Sequence, residues 1–299
     1  MEIAGRLAVV TGGGSGMGRE LVVQLATAGC DVATCDVHEP SLTETVELAS
    51  DAAPGARVTA HQCDVSDEAQ VNTFRDAVLG QHERGHVNLL FNNAGVAGGY
   101  SFVSDDRAAW DRTFAICWGG VYHCSRAFMP LLIASDAGYI VNTSSVNGFW
   151  AALGPDVPHT AYSTAKFAVK GFSESLITDL RLHAPHVKVA VVMPGHVGTG
   201  IVANTTRVLD GDAAAEALRE VSDGFSAQAP VSAREAATII LDGVRNDEWR
   251  ILVGEDARAL DEAVRADPLA VYGADGSSSR GEPGCQWPST RRHSVSSSA

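Results

Sequence analysis

In the stretch AYSTAKFAVKGF (161–172), Tyr162 and Lys166 stand four positions apart. The chain has five tyrosines and only three lysines (Lys166, Lys170 and Lys188), so the pair draws on scarce residues. In an α-helix, positions i and i+4 lie one above the other, and a phenol and an ammonium would share one face. A free tyrosine titrates at about 10 and is a poor acid–base group near neutrality. A nearby ammonium favours the phenolate and is expected to lower that pKa toward the working range. The pair reads as a proton-handling device, if other elements bring a reactant to it.

A second cluster lies near the start of the chain. TGGGSGMG (11–18) follows an apolar run and precedes a helical pattern. Gly12, Gly16 and Gly18 let the chain turn tightly, so that a diphosphate could approach the backbone of Ser15, Gly16 and Met17 at the positive end of a helix. The spacing is Gly-x-x-x-Gly-x-Gly, which differs from the commonest dinucleotide loop. Asp36 follows Gly12 by 24 residues and closes the next apolar run. A carboxylate there accepts hydrogen bonds from ribose hydroxyls and repels an added 2′-phosphate. Ser15, Val37 and His38 offer no cation for that phosphate. These residues point to NAD rather than NADP.

Both clusters need elements to position them. Strand candidates are 6–11, 31–36, 57–65, 87–92, 139–144, 187–193 and 250–254, several of them nearly continuous apolar runs, as in parallel strands covered on both faces. Helical patterns alternate with them. Leu21, Val22, Leu25 and Ala28 form an apolar stripe stopped by Gly29, and Ser66 is an expected N-cap before Asp67 and Glu68. The alternation predicts an α/β fold: a Rossmann-type, doubly wound parallel sheet with helices on both faces, in a single domain over 1–272. Residues 199–231 read as a long insertion beside the substrate region. The tail 273–299, with eight Ser, four Gly and two Pro, is expected to be disordered.

Six motifs then follow one another: TGGGSGMG, CDV (63–65), NNAG (92–95), IVNTSS (140–145), YSTAK (162–166) and PGHVGT (194–199). Together they resemble the short-chain dehydrogenase/reductase family over roughly residues 5–254. The resemblance implies an NAD(P) cofactor and an assembly of two or four copies. It places Asp64 and Val65 beside the adenine, and Asn92, Ala94 and Gly95 along the cofactor. Pro194, Gly195, Val197 and Thr199 would line its nicotinamide side. It also implies that Tyr162 is the acid–base group and that Lys166 tunes it and holds the ribose. Ser145 would orient the substrate oxygen. The expected reaction interconverts a secondary alcohol and a ketone on a small hydrophobic substrate. The alternative is a regulator or scaffold that binds NAD(H) without catalysis.

The chain departs from the family pattern twice. Ser145 and Tyr162 are 17 positions apart, with GPDVPHT (154–160) as an apparent short insertion, and Ser144 is the alternative to Ser145. In FAICWGGVYHCSRAF (114–128), Cys117 stands where the family usually has an asparagine. That leaves a tolerated replacement, weakened catalysis, or an offset of one residue. Phe149, Trp150, Met193, Ile201 and Val202 are candidates for an apolar pocket or for core, and His196 for its mouth.

A formal net charge of −14 argues against nucleic-acid and membrane-surface partners and leaves a small-molecule substrate as the expected partner. The segment MEIAGRLAVVTGG shows no signal-peptide pattern, and the six cysteines show no disulfide-like spacing, so a reduced, cytoplasmic protein is expected. No histidine or cysteine cluster has metal-ligand spacing, so no metal is expected.

Overall fold

A computed structural model describes residues 1–151 and 157–269. The Ser-rich tail and residues 154–156 of the inserted segment lie outside the described residues. All seven strand candidates form strands: β1 (Leu7–Thr11), β2 (Asp31–Asp36), β3 (Val58–Gln62), β4 (Leu89–Asn92), β5 (Gly138–Thr143), β6 (Val187–Pro194) and, near the end, Arg250–Val253. They make one sheet in which every pairing is parallel. The order is β3-β2-β1-β4-β5-β6 and then Arg250–Val253. Chain order reverses between β1 and β4, where open α/β sheets hold their ligands.

Alternation along each strand divides the core in two. Leu7 and Val9 of β1 face α3 (Glu68–His82), α5 (Gly120–Ile133) and α6 (Thr160–His183), packing with Phe74, Phe128 and Leu176. Ala8 and Val10 face the opposite way, toward Leu21, Val22 and Leu25 of α1 (Gly16–Thr27) and toward Ala49 of α2 (Glu39–Ala52). Covering both faces with apolar helices is the doubly wound arrangement that continuous apolar strands require.

The expected N-cap of α3 is corrected by one residue. Asp67 accepts bonds from the Ala69 and Gln70 amides, at 2.9 and 3.2 Å. Ser66 is engaged elsewhere, its hydroxyl donating to Asp64 Oδ1 at 2.7 Å. The segment 199–231 is also more ordered than its reading as an insertion conveys. Two short strands, β7 (Val197–Gly198) and β8 (Val231–Ser232), pair in parallel, so the segment leaves and returns at one place. Between them run three helices: α7 (Ile201–Asp210), α8 (Asp212–Ala217) and α9 (Arg219–Ala227). Two further helices follow, α10 (Ala233–Arg245) and α11 (Glu255–Ala266), on either side of the last strand, β9 (Arg250–Val253). No helix among the described residues is long and apolar enough to cross a membrane.

A buried polar chain fixes α6 to the sheet. The Asn92 amide donates to Asn142 Oδ1 (2.8 Å) and Ser125 Oγ (3.1 Å), and the Asn142 amide donates to Ser173 Oγ (2.9 Å). Removing one member leaves the others buried and unsatisfied, which costs more than a single bond. Asn142→Ala is expected to lower unfolding stability by roughly 2–3 kcal/mol in urea titration. A loss below about 0.5 kcal/mol would show that water or a side-chain shift replaces the network.

Candidate active site

The glycine loop is shaped by what lies behind it. Gly12 has φ +69, and a Cβ there would come within 2.8 Å of Ala94 Cα. At Gly18 a Cβ would sit 2.0 Å from the Gly12 carbonyl oxygen, so this glycine is required by the close contact of helix and strand rather than by a ligand. Gly14 donates its amide to Asp36 Oδ2 (3.0 Å), and His38 donates its amide to Asp36 Oδ1 (3.1 Å). Two backbone bonds aim the Asp36 carboxylate across the loop and leave it lone pairs for hydroxyl donors.

A cleft opens over this loop at the carboxyl ends of the strands. It is lined by Gly12, Ser15, Gly16, Met17, Asp36, Asp64, Val65, Ala94, Gly95 and Thr199. Its narrow glycine floor, helix N-terminus and carboxylate fit the diphosphate and ribose of a dinucleotide. Asp64 is held at one end by Arg112 (Nη2 to Oδ2, 2.6 Å). Burial disfavours the Asp64 carboxylate, but the bonds from Arg112 and Ser66 outweigh it, and its pKa lies below the ordinary value.

Several expected lining residues are placed elsewhere. Asn92 is buried in the polar chain under the sheet, and its neighbour Asn93 lines the cleft instead. Pro194 ends β6 and is buried; a Cβ at Gly195 would meet the Asp256 carboxylate at 2.2 Å; Val197 packs in the core beneath α10. Those three shape the turn before Thr199 rather than the cleft wall. Sequence reading also missed Arg112, and it missed Asn204 and Arg207, which reach the cleft from α7. Once α7 is recognised as a helix, Asn204 and Arg207 fall three apart on one face, a signal that reading the segment as a loop concealed.

Tyr162 and Lys166 meet on α6, as their spacing predicts. Both are buried, and the Lys166 ammonium lies 5.3 Å from the Tyr162 ring centroid. Its Nζ donates to the Thr143 carbonyl at 2.9 Å. A Cβ at Gly95 would lie 3.5 Å from that Nζ, so the lysine sits directly behind the cleft wall. Ser145 lies beside the Tyr162 phenol and acts to lower its pKa, whereas Ser144 donates to the Lys166 carbonyl (2.7 Å) and is tied into the helix. Of the two serines, Ser145 is the one beside the phenol.

The expected lowering of the Tyr162 pKa is not found. Burial drives the phenol above its ordinary value, the neighbouring Cys117 acts in the same direction, and the nearby Ser145 hydroxyl opposes both only in part. Lys166 is lowered, again by burial first. The ammonium faces the ring and the Thr143 carbonyl, so it does not neutralise the phenolate oxygen. In this environment Tyr162 is held as the neutral phenol, the form that gives up a proton.

Cys117 occupies a π-helical turn, Ala115–Gly119, between α4 (Arg107–Phe114) and α5. Its Sγ donates to the Val96 carbonyl (3.2 Å) and accepts from the Val96 amide (3.5 Å). A Cβ at Gly95 would lie 3.6 Å from that sulfur, so Cys117 and Lys166 both border Gly95. Two candidate pocket residues are core: Phe149 and Met193 pack with Val191, while Ile201 lines the cleft. His196 is structural, its ring 4.1 Å from that of Phe225 and its Nε2 2.9 Å from the Phe225 carbonyl. No group of three or more metal-ligating side chains occurs among the described residues.

A histidine one turn before Tyr162 completes the surroundings. The His159 ring stacks on Tyr162 (centroids 4.6 Å, planes 18° apart) and on Tyr100 (5.2 Å, 18°). Burial lowers its pKa to about 4, against a backbone bond to Ala97 that works the other way. The unfolded chain takes up this proton near 6.5 and the folded chain resists it, so stability falls as pH drops from 6.5 toward 4. His159→Phe is expected to remove about 2 kcal/mol of the stability lost between pH 7 and 5, measured by urea unfolding at both values. An unchanged pH dependence in the variant would mean that His159 titrates as it does in water.

Comparison with known proteins agrees with this geometry. Residues 6–209 match the family described as short chain dehydrogenase. The chain is 36% identical over 262 residues to the oxidoreductase SadH of Mycobacterium tuberculosis, covering 87% of this chain and 90% of that protein. It is 30% identical over 216 residues to levodione reductase of Leifsonia aquatica, covering 72% and 78%. A short-chain dehydrogenase/reductase of Burkholderia phymatum solved with NAD superposes with a TM-score of 0.75 at 31% identity, over 89% of this chain and 92% of that one. With a family match over about two thirds of the chain and relatives at 30% identity or more over most of it, the chain belongs to the short-chain dehydrogenase/reductase family.

Proposed function

We propose that this protein is an NAD-dependent oxidoreductase interconverting a secondary alcohol and a ketone, on a small hydrophobic substrate. The observation that carries the reading is the buried Tyr162–Lys166 pair directly behind a dinucleotide-shaped cleft, with Ser145 beside the phenol. When bound, NAD(H) accepts or supplies the hydride. The chain's own residues handle the rest. Ser145 donates a hydrogen bond to the substrate oxygen, and Tyr162 delivers its proton there as the carbonyl is reduced. Lys166 braces the phenol from the next turn and lies close enough to Gly95 to reach a ribose held over it. Asp36 takes the adenosine ribose hydroxyls and repels a 2′-phosphate, which supports NAD over NADP.

The names of the relatives, an oxidoreductase and a levodione reductase, support redox chemistry on a carbonyl. For the assembly, a homotetramer or homodimer is the reading we favour; Tyr122 and Ile133 on α5 and Phe167 on α6 are large apolar side chains left exposed for a second copy to cover. A binding-only regulator remains the rival, favoured by Cys117.

The discriminating experiment is NAD(H) turnover over a panel of secondary alcohols and ketones, with Tyr162→Phe in parallel. The variant is expected to lose at least ~100-fold in kcat while binding NADH within about threefold of the parent. NADH binding without turnover by either form, and still none after Cys117→Asn, would favour the regulator. For the cofactor, Asp36→Ser is expected to reduce the preference for NAD over NADP by roughly tenfold or more in kcat/KM. An unchanged ratio would remove Asp36 from cofactor selection.

A further inference from the structure

The amides of the glycine loop and its helix N-terminus attract a diphosphate, and a cation facing the same cleft adds to that attraction on a chain of formal charge −14. Two arginines line the cleft, Arg112 and Arg207. Arg112 is committed at the adenine end, where Asp64 holds it at 2.6 Å. Arg207 comes from α7, and its position is set by a relay of side chains. Asn204 donates its amide to Ser15 Oγ in the glycine loop at 2.8 Å, and Arg207 Nη1 donates to Asn204 Oδ1 at 2.9 Å. The loop that would receive the diphosphate and the guanidinium are thus joined through one side chain.

The remaining ion pair of Arg207 is easily exchanged. Its Nε meets Asp212 Oδ1 at 3.0 Å, but that aspartate side chain is 80% exposed. An exposed pair of this kind contributes little, whereas a guanidinium binding two phosphate oxygens in a cleft forms charge-assisted bonds.

We propose that α7 is part of the dinucleotide site, with Arg207 pairing with the diphosphate and Asn204 fastening the helix to the glycine loop. Cofactor binding then seats α7 over the cleft, and the segment 199–231 serves the cofactor as well as the substrate. This rests on the cofactor reading above.

The test uses calorimetric titration of the full chain with ADP-ribose, which carries the diphosphate, and with adenosine, which does not. Arg207→Ala is expected to weaken ADP-ribose roughly tenfold and to leave adenosine within about twofold, with Arg207→Lys between the two. The ADP-ribose affinity of Arg207→Ala should also depend less steeply on salt than that of the parent. ADP-ribose binding unchanged in Arg207→Ala, or an equal loss for both ligands, overturns the proposal. If the unsubstituted chain binds neither ADP-ribose nor NADH, the cofactor reading itself fails, and this inference with it.

Discussion

An ammonium buried inside a protein is costly unless its protons are taken, and the region around Lys166 is organised by that constraint. The Thr143 carbonyl at the end of β5 accepts from Lys166 Nζ, and the Ser144 hydroxyl bonds the carbonyl of the same lysine. Helix α6 cannot slide along the sheet without breaking both. Its start is pinned as well, with the Thr160 amide on the Tyr100 carbonyl (2.9 Å) and the Ala161 amide on the Gly99 carbonyl (3.0 Å). Further along, Ser173 joins the helix to Asn142. Anchored at its start, middle and far side, the helix presents His159, Tyr162 and Lys166 on one face at fixed heights. Preorganisation of this kind holds the phenol and the ammonium in place for a reactant without rearrangement.

Much of the fold was legible because parallel strands covered on both faces leave a plain mark. RLAVVT and VKVAVVM are apolar at nearly every position, and no exposed strand would be. The glycine loop was legible for a similar reason, since few sequences tolerate so many glycines between a strand and a helix. Asn92 and Asn93 were not separable in this way. Adjacent residues leaving a strand point to opposite sides, and only the register of β4 decides which amide enters the core. Helices α7 to α9 were hidden because short amphipathic helices packed over a cleft lack a long apolar stripe. The direction of the Tyr162 shift is not legible in the sequence, for a physical reason too. Spacing places an ammonium near a phenol but says nothing of desolvation, and here desolvation prevails.

Cys117 shows how a weak group can hold a strong position. A π-turn carries an extra residue and leaves backbone groups out of line, so a side chain must grip the neighbouring loop. The thiol grips Val96 by both its amide and its carbonyl, though each bond to sulfur is weaker than one to an amide. The loop does not rely on it alone. The Ala97 amide donates to Thr205 Oγ1 of α7 at 2.8 Å. Val96 and Ala97 are therefore held from both the π-turn and α7. These bonds tie the wall of the cleft to the helix that carries Arg207, so a shift of α7 is felt at the wall behind which Lys166 lies.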